Sequence, residues 1–462
     1  MRPNILQAYD AKNRKTFVRS HVFQLGYAFM GLMLFFSCAK TPQNKADNSE
    51  KLSTVLQSPS IEAKNEFVLS AVGDVMNHQK VEKSANTYGK EENFFYSASL
   101  ENLKSVFENS QLNFANLETP VAKKNYRKRR PFVFNAPPTI LKSLSWMGFN
   151  LISVANNHSF DMGVRGLKDT LELHQELKIP AIGAGLSREA SESGHCDQIQ
   201  KIKYCSIAYT RVGGESWRKV LKEKGTWLNV NNSDDEMIEM VKVLKKKSDI
   251  VIVSIHWGDE YRVKPHPWQR KLAKSLYEAG AQIILGHHPH VLQEIEVFSN
   301  PNDKESFGIV AYSLGNFLSN QSAFFKHNTK DKNEARPRDS VILQLKVNSK
   351  GPVSLKTHAL WTLNSVSPNA KIEVKRISQL LEENEIQKNG LIQKLPESET
   401  LKMDPKTLAK EKKILLQKEA EIANDKKLFE SREKEIYKTL KIPNDIQDDT
   451  WTMLETLVSL TK

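Results

Sequence analysis

From Phe67 onward the chain alternates short apolar runs with stretches of helical periodicity. The runs FVLSAVGD, QLNFANLE, FNLISVANN, DIVIVSIHWG, AQIILGHH, GIVAYSLGN and SVILQLKV have the length and β-branched content of buried strands. Between them, residues 99–108, 139–147 and 267–279 carry helical spacing, and Gly280 supplies a stop for the last. This alternation predicts an α/β domain over residues 67–360, a sandwich of strands flanked by helices.

Residues 371–462 have a different texture, rich in Lys and Glu with almost no strand signal, and predict a helical extension. Asp404 as N-cap and Pro405 in the first turn open a long helix that runs to about Leu440, with Pro443 beyond it. Leu401, Leu408, Leu415, Ile422, Phe429 and Ile436 recur every seven residues, but the positions four later are Lys412, Glu419, Lys426 and Glu433. That is half a coiled-coil seam. Widened by Ala409, Leu416 and Ala423, the stripe predicts a helix docked on the globular domain or on one partner helix.

At the other end, five basic residues precede sixteen mostly apolar ones, residues 22–37, which fits a secretory signal and is short for a membrane span. The segment ends Leu34-Phe35-Phe36-Ser37-Cys38, similar to a loose bacterial lipobox, with Cys38 as the residue that would be lipidated. The other reading is an uncleaved anchor, and both place the domain outside the cytoplasm on a membrane, as a cell-envelope protein. Residues 39–66 are polar and read as a flexible tether.

Composition narrows the picture further. Hydrophobic residues at 39%, with 20 Gly and 18 Pro in 462 residues, exclude a collagen, a rod or a low-complexity chain. The net charge is +13, of which +4 lies in residues 1–37, so the remainder is a moderate bias towards anionic partners and not a nucleic-acid signature. Cys196 and Cys205 flank a polar stretch, and a hairpin centred near Gln200 would set the two thiols opposite each other, either bridged or as small core residues.

The candidate chemistry sits at strand ends. Asp74, Glu118, Asn157, His158, His256, His288 and His290 each follow an apolar run, and in open α/β sheets ligands bind outside the carboxyl ends of the strands. Two carboxylates, an Asn and several imidazoles suit zinc, manganese, iron or a similar divalent pair. Taken singly, each has a plainer reading as a helix cap, a core histidine or part of a surface loop. Together they predict one convergent site.

The runs AVGDVM, NFANLETPV, VANNHSFDMGVRGLKDTL, IVSIHWGDEY, IILGHHPHVLQ and AYSLGNFL resemble, in order and spacing, the motifs of the CapA family, the poly-gamma-glutamate capsule synthesis proteins. The domain of that family is similar to the calcineurin-like metallophosphoesterases. The resemblance covers roughly residues 67–347 and implies a two-metal site, with Asp74 on one ion, Glu118 bridging, Asn157 and His256 on the second, and His288 and His290 divided between them. It also implies that His158 is the general acid and that Asp161 orients it.

One departure stands out. Metallophosphoesterases begin with Asp-x-His, and the second position here is Met76, which leaves the first ion one ligand short. His78 lies beyond the strand end and reads as a surface residue.

Near Glu118, the cations Lys123, Lys124, Arg127, Lys128, Arg129 and Arg130 either attract a polyanion or form a solvated charged loop, and Trp257, Tyr261 and Asn316 are placed to line a pocket, with packing an equal reading for Trp257 and Tyr261. The implied function is synthesis, export or attachment of an anionic surface polymer, with a membrane synthase complex as partner and a hydrolase acting on a phosphoester or amide. The alternatives are a non-catalytic module that binds the polymer and a general envelope phosphodiesterase.

Overall fold

The computed structural model describes residues 65–89, 94–128, 131–213, 227–230, 233–326, 328–367, 369, 371–392, 404–443 and 450–460. The expected signal segment, Cys38, the tether, Arg129, Arg130 and Leu401 lie outside the described residues. Strands occur at β1 (Phe67–Val75), β2 (Leu112–Leu117), β3 (Leu151–Ser153), β4 (Ala181–Ile182), β5 (Ala184–Gly185), β6 (His195–Ile199), β7 (Ile202–Thr210) and β8 (Trp227–Leu228). They continue with β9 (Ile250–His256), β10 (Ile283–His287), β11 (Ile295–Asn300), β12 (Asp303–Ala311), β13 (Asn316–Leu318), β14 (Asp339–Asn348), β15 (Gly351–Leu363), β16 (Glu373–Arg376) and β17 (Thr452–Met453).

Two sheets face each other. The first has the order β16-β15-β14-β1-β2-β3-β4, with β13 beside the end of β1 and β17 beside β15, and the second has the order β11-β12-β10-β9-β7-β6. The central strands β1, β2 and β3 run parallel, as do β7, β9, β10 and β12, so their carboxyl ends open on one edge. Alternation along β9 explains the layering. Ile250 and Ile252 face the first sheet, whereas Val251, Val253 and Ile255 face a second core with Leu272, Ala273 and Leu276 of helix Pro267–Ala279. His266 and Gln269 cap that helix at its start, and Gly280 closes it with φ of 116°.

The predicted α/β sandwich is the observed fold, with three differences in detail. The helix expected over residues 99–108 is interrupted by a tighter turn at Glu101–Leu103 between Ser97–Leu100 and Lys104–Glu108. The third strand ends at Ser153, so Asn157 and His158 sit in the turn beyond it. Residues 371–462 also contribute strand: β16 and β17 both pair antiparallel with β15, extending the first sheet.

The long helix spans Pro405–Leu440, with the Asp404 side chain accepting from the Lys406 and Thr407 amides. Its C-terminal half buries Phe429, Ile436, Tyr437 and Leu440 in the main core. Its N-terminal half packs beside helix Ile377–Ile392, where Asn384 Nδ2 donates to the Ile422 carbonyl. The half-seam therefore meets the globular body at one end and a single neighbouring helix at the other. Arg432 pairs with Asp339, both almost fully buried, and burial raises the Asp339 carboxyl to about 6 against the opposing pull of Arg432. At the β6–β7 hairpin, Cys196 and Cys205 face each other in register and form a disulfide. Among the described residues no helix is long and apolar enough to cross a membrane.

Candidate metal centre

The carboxyl ends of β1, β2, β9 and β10 meet at one point, and the glycines make the approach possible. A Cβ at Gly73 would lie 1.9 Å from the Gly315 carbonyl oxygen, so β1 can touch the 313–316 turn only with hydrogen at this position. The Asp74 amide donates to that same carbonyl at 2.9 Å. In consequence Asp74 lies beside Asn316 in the register of β1 and β13.

Strand alternation aims the rest. Phe114, Asn116 and Glu118 are spaced by two along β2, as are Ile252, Ser254 and His256 on β9 and Ile283, Leu285 and His287 on β10. Each series ends inside the sandwich edge. Asp74, Glu118 and His256 form one group of possible ligands, and Glu118, His288 and His290 another, each with one ligating atom per residue within 4.8 Å of the others. Glu118 belongs to both. Its Oε1 lies 3.5 Å from His256 Nε2, 3.8 Å from His290 Nε2 and 3.9 Å from His158 Nε2. Asn157 Oδ1 is 2.8 Å from His256 Nε2, which sets a carboxamide beside the group that holds Asp74, Glu118 and His256.

Asp74 is the most heavily held residue. Asn116 Nδ2 donates to its Oδ1 at 2.8 Å, His287 Nδ1 lies 3.1 Å from Oδ1, and Oδ2 accepts from the His288 amide at 3.3 Å, with His290 Nδ1 also at 3.3 Å. Burial pushes this carboxyl up, but the imidazoles of His287 and His290 outweigh it and hold it well below the usual carboxylate range. Glu118 moves the other way, raised by burial and then by repulsion from Asp74. Burial, reinforced by neighbouring imidazoles, lowers His256 well below its ordinary value and His288 to about 4. Neutral imidazoles present lone pairs, which is the form a cation binds.

Whether these residues fit a cation can be read from what is left over. Both carboxylate oxygens of Glu118 and Nδ1 of His288 are buried with no hydrogen-bond partner in the protein. Buried acceptors of this kind are costly unless something positive fills the space between them. His288 and His290 also adopt left-handed backbone angles, φ of 95° and 56°, a strained form that bulky residues take where surrounding structure enforces it. The donor set of carboxylate, carboxamide and imidazole fits divalent cations.

Other expected site residues are distributed unevenly. His158 Nδ1 lies 2.8 Å from Asp161 Oδ2. Arg127 is exposed, with its guanidinium near Gly163 in the segment that follows Asp161. Lys123 is tied to Glu172. Of the two readings of Trp257, pocket lining gives way to packing: it is buried in the second core, donating Nε1–H to the Tyr312 carbonyl and stacking on the Tyr312 ring. One step beyond His256, alternation turns it to the helix side of the sheet.

Asn316 is buried too, and its polar atoms are engaged within the protein: its Oδ1 is 3.1 Å from His290 Nδ1, and its Nδ2 donates to the His290 and Pro337 carbonyls and to Gln321 Oε1. His78, read as a surface residue, is half-buried, accepts the Asn320 amide at Nδ1, and is held at about pKa 4 by burial and then by His290 and His158. Met76 is buried with its sulfur 4.0 Å from Gln321 Nε2, and offers the centre no imidazole.

His287 and Asn116 were not anticipated. Asn116 stands two residues before Glu118 on the same strand face, and His287 directly precedes His288; those spacings were the available signal.

A sandwich of two mixed sheets with helices outside, carrying carboxylates, a carboxamide and imidazoles at its strand ends, is a metallophosphoesterase-like α/β protein. Within that class the comparisons are specific. The model of the bacterial capsule synthesis protein family PGA_cap matches residues 68–321. The chain is 33% identical over 301 residues to the PGA biosynthesis protein CapA of Bacillus subtilis, covering 64% of this chain and 72% of that one. It is 32% identical over 305 residues to the capsule biosynthesis protein CapA of Bacillus anthracis, covering 62% and 70%. A probable polyglutamine synthesis accessory protein of Mycobacterium tuberculosis is 28% identical over 205 residues, 42% of this chain and 54% of the relative. The chain belongs to the CapA family of capsule synthesis proteins.

Proposed function

We propose that this protein acts in the synthesis, export or attachment of an anionic surface polymer of the poly-gamma-glutamate type, through a divalent-metal site with hydrolase-like chemistry. The observation that carries the reading is Glu118, whose two buried, unpartnered oxygens lie among three imidazoles. In this reading Glu118 would be shared by two cations, with Asp74 serving one, Asn157 and His256 the other, and His288 and His290 divided between them. Bound cations of this kind polarise a phosphoryl or carbonyl oxygen and offset charge as it develops.

The chain's own residues would do the rest. Asp161 fixes one nitrogen of His158, leaving Nε2 to give a proton to the leaving atom. Lys124, Arg127 and Lys128, exposed on the loop after Glu118, would draw a polyanion to the edge of the sheet, together with Arg129 and Arg130 in the same run. The disulfide at Cys196 and Cys205 supports export to an oxidising compartment, and the N-terminal segment with Cys38 supports attachment to a membrane beside a synthase complex.

Elemental analysis of the purified protein, with a generic phosphodiester and amide assay, tests the reading. About two equivalents of metal, turnover, and loss of both in Glu118→Ala are expected. Met76 favours a second reading, in which the site has lost its chemistry and the protein binds the polymer without turning it over. Absence of metal under replete conditions, with polymer binding retained, would select that second reading.

A further inference from the structure

A cavity of about 530 Å³ opens beside the proposed acid, walled on one side by residues 131–135 and on the other by residues 77–80, Glu82 and Asn320. The Phe134 ring joins it to the centre: its centroid is 4.5 Å from that of His158 and 5.2 Å from that of His78. Whatever sits in this cavity therefore lies next to the reacting position, a step that rests on the reading of His158 given above.

Among the described residues the walls hold no free cation. Lys80 Nζ donates to the Val366 carbonyl at 2.6 Å and to that of Ser365 at 3.4 Å, and the one other charged wall residue, Glu82, accepts from Asn77 Nδ2 at 3.3 Å. Among the described wall residues a carboxylate or phosphate would find no unpaired positive partner. Neutral polar groups are present instead. His78 accepts the Asn320 amide at Nδ1, which leaves Nε2–H as the donor of its neutral ring. The Asn320 side-chain oxygen is a covered acceptor that no group among the described residues satisfies.

The third observation is Phe132, which is 82% exposed with φ of 61°. A large aromatic side chain held in water on a left-handed backbone is doubly unfavourable, and outliers of this kind gather at ligand clamps.

We infer that this cavity is a subsite for an uncharged, amide-bearing stretch of the substrate backbone adjacent to the reacting bond, with Phe132 covering the amide plane and His78 donating to its carbonyl. The anionic groups of the substrate are left outside, towards the basic loop. An amide offers a flat π surface, one donor and one acceptor, which matches an aromatic face beside one donor and one acceptor.

The test compares two polyanions of matched length and charge, oligo-γ-glutamate with backbone amides and oligo-acrylate without them. Each is titrated calorimetrically into the detergent-solubilised full chain at an ionic strength of about 0.15 M. The wild type is expected to bind the amide chain more tightly. Phe132→Ala removes an exposed side chain, and His78→Phe keeps the ring packing while deleting the donor. Each should weaken oligo-γ-glutamate about three- to tenfold, the range one such contact supplies, and leave oligo-acrylate unchanged. Equal binding of both polymers to the wild type, equal weakening of both in the variants, or variants that change neither would overturn the subsite. Metal content and turnover are measured separately, so loss of the hydrolase reading with a retained amide preference is a distinct result from loss of the subsite alone.

Discussion

Asp161 Oδ2 serves two partners at once, the Phe134 amide at 2.7 Å and Nδ1 of His158 at 2.8 Å. One carboxylate oxygen therefore couples the orientation of the proposed acid to the loop that walls the neighbouring cavity. Asp161→Asn keeps the shape but replaces a charged acceptor with a neutral amide. Turnover is expected to fall about 10- to 100-fold, and His158→Ala about 10²- to 10⁴-fold, with little change in thermal stability for either. Steady-state kinetics beside a melting curve separates this from a folding defect, and unchanged turnover in Asp161→Asn would remove its role.

Metal content should follow the shared ligand. Because Glu118 belongs to both groups, Glu118→Ala should release more metal than His288→Ala, which belongs to one. Elemental analysis after dialysis reads the difference. A chelator should also lower the melting temperature of the wild type, since it leaves buried carboxyls facing each other, and should have less effect on Glu118→Ala.

How much of this was legible in the sequence depended on what kind of contact was involved. The strand ends could be read because buried parallel strands are apolar and their polar terminators stand out: Asp74, Glu118 and His256 each close such a run. The disulfide geometry followed from a polar hairpin between two cysteines, although the bond itself did not. Trp257 stayed open between pocket and core because adjacency in sequence is opposition in a strand. The role of Asn316 was hidden because a carboxamide facing a ligand and one bracing a histidine look identical in a motif. The strands β16 and β17 were invisible for another reason: EVKR and Thr452–Met453 are short and join the sheet at its margin, and the one fully buried apolar side chain they contribute, Val374, is too little for a hydrophobic pattern.

The buried Arg432–Asp339 pair makes a stability prediction. Arg432→Ala leaves a fully buried carboxyl without its cation, and a loss of about 3–5 kcal/mol is expected by denaturant unfolding. Pairing it with Asp339→Asn should recover much of that loss, since no charge is then stranded. Equal instability of the single and double variants would show that packing of the arginine stem dominates.

His174 sets an acid limit. It is fully buried with Nδ1 3.0 Å from the Ile179 carbonyl oxygen, and burial lowers it to about 4 from an ordinary 6.5. A histidine depressed in this way contributes stability that is present above its unfolded pKa and lost as pH falls through the folded one. The window is therefore pH 6.5 down to 4, and the total is about 3 kcal/mol at roughly 1.4 kcal/mol per pH unit. His174→Phe should be less stable at pH 7, having lost the hydrogen bond, yet show a flatter decline on acidification. A parallel decline in the two proteins would exclude this residue as a source of acid lability.

The strand that bears Asp74 has β2 on one side and β14 on the other over Phe67–Ala71. β14 is Asp339–Asn348, beyond the matched family segment that ends at residue 321, and Asn316 needs the Pro337 carbonyl to steady His290. The earliest part of the domain to be synthesised is thus completed by a part that comes more than 200 residues later. A nascent chain that has not yet reached β14 carries most of the candidate ligands but shows β1 as a bare edge over Phe67–Ala71, so the strand that aims Asp74 gains its second neighbour only after those ligands have all been made.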